Sequence, residues 1–169
     1  MAELKTVVEG LAFPEGPRWH DGRLFFSDQH AHQVLALDSA GNVEEIVRVE
    51  QQPSGLGWTP DGQMLIVSML DRRLLRLDQS GSGDAHLSEV ADLSTLATFH
   101  CNDMVVSADG RAYVGNFGFD LDAGESPRPA TIVMVGPDGA ATIVADGMRF
   151  PNGTVITPDG RTLIVGESV

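Results

Sequence analysis

PSGLGWTPDGQMLIVS, residues 53–68, sets a Pro-polar-Gly start, a short apolar stretch, an Asp-Gly turn and a second apolar run in a row. The same element recurs as PEGPRWHDGRLFFS from Pro14, CNDMVVSADGRAYVG from Cys101 and PNGTVITPDGRTLIVG from Pro151. Asp-Gly supplies the positive-φ glycine that a tight hairpin needs, so each copy reads as strand, turn, strand. The four Asp-Gly pairs begin at Asp21, Asp61, Asp109 and Asp159, spaced by 40, 48 and 50 residues. Periods of that size indicate propeller blades.

A second hairpin follows each of the first three copies: QVLALDSAGNVEEIV from Gln33, RLLRLDQSGSGDAHLSEV from Arg73 and TIVMVGPDGAATIVADG from Thr131. Each unit therefore holds four strands, which predicts an all-β chain, a β-propeller of four-stranded antiparallel blades whose inner strands line a channel. The blades run approximately over 13–48, 53–93 and 101–145, followed by an inner hairpin over 150–169. TVVEGLAFPEG from Thr6 matches TIVADGMRFPNG from Thr142, which makes residues 4–10 the expected outer strand of a closing blade. About three and a half blades are thus present in one partial domain, against about 4–8 in a closed ring. Two explanations stay open, a chain cut from a product about twice as long or two half-rings assembling, and truncation is the expectation. The open sheet edges would favour self-association.

Composition sets the outer limits. The 169 residues are 42% hydrophobic and 21% charged, as in ordinary soluble domains. Twenty-four acidic against eleven basic residues leave a net charge of -13. Without a Lys/Arg cluster to follow a phosphate backbone, nucleic acid and anionic membrane are not expected as partners. The single cysteine, Cys101, rules out an intrachain disulfide and a multi-cysteine metal site, and reads as a small apolar residue opening an inner strand. MAELKTVVEG has no basic stretch leading into an apolar core, and a cytoplasmic protein is the expectation.

The second residue of each copy varies chemically: Glu15, Ser54, Asn102 and Asn152. If the copies are blades, these four side chains share one rim. One carboxylate with neutral amide and hydroxyl oxygens is a hard-oxygen set suited to Ca²⁺ or Mg²⁺. Asn and Ser beside Gly also serve as turn residues, and Ser54 reads as structural. The same rim receives FGFDLDAGESPRPA, residues 117–130, either a lid or a solvated insertion, with Asp120 its acidic residue best placed to face the channel. His20, His30, His32 and His86 are scattered, whereas His100 lies two residues before Asn102, able to bond a ligand oxygen or to cap the strand.

Three ordered stretches, LAFPEGPRWHDGRLFFSD from Leu11, HCNDMVVSADGRAYVGNFG from His100 and FPNGTVITPDGRTLIVGES from Phe150, resemble the SMP-30/gluconolactonase/luciferin-regenerating-enzyme family. The resemblance implies a six-bladed propeller, one divalent cation in the channel and hydrolysis of a small-molecule lactone. It implies Ca²⁺ first, with Zn²⁺, Mn²⁺ or Mg²⁺ as alternatives. By position it makes Glu15 and Asn152 metal ligands and Asn102, His100 and Asp120 substrate contacts. His100 stands where many members carry an Arg that contacts the sugar. The family's third protein ligand, an Asp that is also the proposed general base, is expected beyond Val169. A non-catalytic propeller binding a small molecule or protein, or another metal-dependent ester hydrolase, is the competing reading.

Overall fold

The structure, a computed structural model, describes residues 4–79 and 85–169. The first sheet is β1 (Pro14–His20), β2 (Arg23–Asp28), β3 (Gln33–Leu37) and β4 (Val43–Arg48). The second is β5 (Pro53–Trp58), β6 (Met64–Ser68), β7 (Arg73–Gln79) and β8 (Ala85–Asp92). The third is β9 (Cys101–Val106), β10 (Ala112–Asn116), β11 (Ala130–Val135) and β12 (Ala141–Met148), and a hairpin of β13 (Pro151–Ile156) and β14 (Leu163–Glu167) follows. Strands pair antiparallel in chain order within every sheet, the meander of a propeller blade. The turn joining β7 to β8, read from SGSG in the sequence, lies outside the described residues.

Turn chemistry explains the hairpins. Asp21 and Gly22 both take positive φ, 45° and 75°, between the paired His20 and Arg23, giving a two-residue turn of the primed kind. The other three are longer and share one design. Thr59, Ser107 and Thr157 accept backbone N–H bonds from Gln63, Arg111 and Thr162, while Gly62, Gly110 and Gly160 carry the positive φ.

Strand alternation divides each central strand between two interfaces. In β6, Met64 and Ile66 join a cluster with Phe25, Val34 and Leu56 between the first and second sheets. Leu65 and Val67 face the other way, toward Leu74, Met104, Val114 and Val133 between the second and third. MLIVS is buried along its whole length because it is packed on both faces. Each fully buried Leu, Ile or Val contributes about 1.5–3 kcal/mol relative to exposure. Toward β13 and β14 the covering ends, and Val155 and Ile164 are more than half exposed.

Residues 4–10, expected as an outer strand, form none. No described strand edge lies alongside to complete a ladder, and the segment lies instead across the first sheet. Val8 and Leu11 pack there on Phe26, Leu35 and Leu37. Among the described residues no helix is long and apolar enough to cross a membrane.

The inner strands β1, β5, β9 and β13 lie side by side in succession, and glycine makes their approach possible. A Cβ on Gly55 would stand 2.4 Å from the Met104 nitrogen, and one on Gly16 3.0 Å from the Ser54 carbonyl oxygen. Gly16 and Gly55, which follow Glu15 and Ser54, are therefore packing requirements between blades.

Candidate functional site

At the start of each inner strand, the residue opposite the Pro or Cys is the last polar residue of the neighbouring strand. Pro14 pairs with Asp28, Pro53 with Ser68 and Pro151 with Glu167, while Cys101 pairs with Asn116. Asp28 is buried, and its Oδ1 accepts the backbone N–H groups of Ala12 and Phe13 at 2.9 and 2.7 Å. The carboxylate thereby fixes the chain immediately before Glu15. Glu167 accepts the N–H of Arg149 and does the same before Asn152.

A hydrogen-bonded row crosses the blades at this level. Gln29 Nε2 donates to Ser54 Oγ at 3.1 Å, Ser54 Oγ to Asn102 Oδ1 at 3.5 Å, and Asn102 Nδ2 to the Pro151 carbonyl at 3.3 Å. Ser54 and Asn102 are both buried. Asn102 is held on both sides and retains one N–H and part of its oxygen for a ligand.

Glu15 lies on β1 and Asn152 on β13, the strands that flank β5 and β9. Both are half-buried, and among the described residues neither side chain makes a hydrogen bond or ion pair. Glu15 borders an apolar cleft with Val8, Leu11, Pro17 and Leu24. A half-buried carboxylate without a protein partner can take a cation as its counter-charge. Among the described residues no three His, Cys, Asp or Glu side chains gather closely enough to hold a metal ion. A carboxylate with an amide oxygen fits part of a hard-cation site and does not fit a soft-ligand one.

Asp103, following Asn102, was not singled out by the sequence. It is buried, where the three other copies place glycine, and its Oδ2 accepts the Thr154 N–H at 2.9 Å. Its Oδ1 accepts from Arg18 Nη2 at 2.6 Å, and the same nitrogen reaches the Met104 carbonyl at 2.7 Å. Cys101 is fully buried, and desolvation pushes its thiol up to about 12, which makes it an inert packing group rather than a nucleophile.

His100 packs between aromatic rings, 4.0 Å from Phe99 and 6.1 Å from Phe117 between centroids. Burial lowers its pKa, opposed by Asp120 and Asp122. Asp120 opens the segment between β10 and β11 and turns inward to it. Its Oδ1 accepts the Ala123 N–H at 2.9 Å, and its own N–H donates to Glu125. The larger clefts lie elsewhere; one is lined by Pro60, Asp61, Leu74 and Asp109, at the Asp-Gly end of the sheets.

A gluconolactonase of Zymomonas mobilis is 23% identical over 98% of this chain and 51% of its own length. A gluconolactonase structure from Xanthomonas campestris superposes with a TM-score of 0.77 at 23% identity, covering 96% of this chain and 56% of that one. A calcium-binding regucalcin from Agrobacterium tumefaciens gives 0.73 at 21%, covering 93% and 51%. These likenesses establish the propeller fold, and the chain spans about half the length of the relatives it matches. Residues 13–169 match the family described as SMP-30/Gluconolactonase/LRE-like region, and the chain belongs to that family.

Proposed function

We propose that this chain supplies part of the site of a metal-dependent lactone hydrolase. The observation that carries the reading is that Glu15 and Asn152, on the strands flanking the row through Ser54 and Asn102, are half-buried oxygen-bearing side chains without a partner among the described residues. Family membership and the names of the relatives support the reaction class.

In this reading Glu15 and Asn152 hold the divalent cation, Ca²⁺ first. When bound, such an ion polarises a carbonyl oxygen or lowers the pKa of a water, worth several kcal/mol where charge develops. Asn102, fixed by Ser54 and the Pro151 carbonyl, orients the lactone ring through its remaining N–H. That is positioning, with the entropy of orientation spent in folding. His100 and Asp120 border the ring on the side of the 117–130 segment.

The test is hydrolysis of a panel of aldono-, alkyl- and aryl-lactones with Ca²⁺, Mn²⁺, Zn²⁺ or Mg²⁺ added to chelator-treated protein. Turnover that depends on metal and falls at least about 100-fold in Glu15→Gln is expected. Equal turnover with and without chelator would overturn the reading. A binding propeller without chemistry would show no turnover at all.

A further inference from the structure

Resting on that lactonase reading, we infer that the side of the mouth formed by Phe99, His100, Phe117 and Phe150 takes an apolar substituent, so the preferred lactones carry an alkyl or aryl group. The rings form a continuous arc from the third sheet to the β13–β14 hairpin. His100 lies against Phe99, Phe117 stacks on Phe150 at 4.4 Å and 28°, and Phe119 closes on Phe150 from behind at 6.0 Å. Phe119 and Phe150 are buried and act as support, while Phe99, His100 and Phe117 keep part of their surface open.

Position ties this arc to the proposed site. His100 and Phe150 each stand two residues before an amide of the row, Asn102 and Asn152, and Phe117 N–H donates to the His100 carbonyl at 2.9 Å. Phe150 holds φ at +54°, a left-handed conformation that a bulky residue adopts only when its surroundings impose it. The Ser168 N–H to its carbonyl at 3.0 Å is part of that constraint.

A polyol substituent needs several free donors and acceptors, and this side offers few. Asp120 Oδ1 is taken by the Ala123 N–H and Glu125 is shared between the Asp120 N–H and Arg128 at 2.7 Å, which among the described residues leaves Asp120 Oδ2 and the His100 ring nitrogens as the polar groups on this side. Burying hydroxyls against aromatic faces without partners costs binding, whereas an alkyl or aryl group gains by leaving water.

The experiment compares dihydrocoumarin with D-glucono-1,5-lactone on the metal-loaded protein. It also measures calorimetric binding of their non-hydrolysed ring amides, 3,4-dihydro-2-quinolinone and D-gluconolactam. The expected result is a kcat/KM at least about tenfold higher for the aryl lactone, with the same order in amide binding. Phe117→Ser and, independently, Phe99→Ala are expected to cut that preference about tenfold, through KM. Equal or reversed preference, or variants that lower both substrates by the same factor, would overturn the inference. If neither lactone turns over, the lactonase reading fails, and the amide binding order still decides whether the arc selects apolar rings.

Discussion

Arg18 in β1 reaches Asp103 in β9, its Nη2 2.6 Å from Oδ1, so that the first sheet is tied directly to the third. The other oxygen of Asp103 holds the Thr154 N–H of β13. One carboxylate therefore connects the three inner strands that carry Glu15, Asn102 and Asn152. It keeps the three candidate residues at one level.

Asp103→Ala is expected to destabilise the fold by about 3 kcal/mol, because it strands a guanidinium and a buried N–H together. Asp103→Asn keeps an acceptor for Thr154 and should cost less. Urea titration separates the two. Equal, negligible losses would show the bridge to be incidental.

Gly55→Ala places a methyl 2.4 Å from the Met104 nitrogen, where only backbone can give way. A loss of about 2–3 kcal/mol is expected from such overpacking. Gly153→Ala meets nothing within 4 Å but has φ +67°, so its cost should be the smaller backbone one, about 1–2 kcal/mol.

Cys101, pushed up to about 12 and fully buried, should resist a thiol reagent at pH 8 in the folded protein and react at once in denaturant. Rapid labelling of the native state would contradict its place in the core between the second and third sheets.

His100 is held below the ordinary histidine range chiefly by burial, with Arg72 adding to the effect and Asp120 and Asp122 opposing it. The unfolded chain takes up the proton first as pH falls below about 6.5, so stability declines from there until the folded ring also protonates. Wild type should lose more stability between pH 7 and pH 5.5 than His100→Gln does. An NMR titration should show His100 turning cationic below the ordinary histidine range.

The blades were legible because their signals are local: Asp-Gly turns, short apolar runs and a repeat of constant order. Glu15, Asn102 and Asn152 stood out because they occupy one position in successive copies. Arg18 and Asp103 did not, since their partnership depends on the register of strands 85 residues apart. Only the fold shows the Asp28 carboxylate holding Ala12 and Phe13. Residues 4–10 carry a strand-like pattern, but a ladder needs a neighbour that local sequence does not supply. A local Asx turn from Asp120 to Ala123, which takes up one carboxylate oxygen, shows only in the fold.

In the proposed function Glu15 and Asn152 are oxygen ligands to a divalent cation. Calorimetric titration of Ca²⁺ into chelator-treated wild type, Glu15→Gln and Asn152→Ala protein tests it most directly. The account expects a saturable site in wild type whose affinity falls at least about tenfold in each variant, with the fold intact by circular dichroism. Wild-type affinity retained in Glu15→Gln would contradict it.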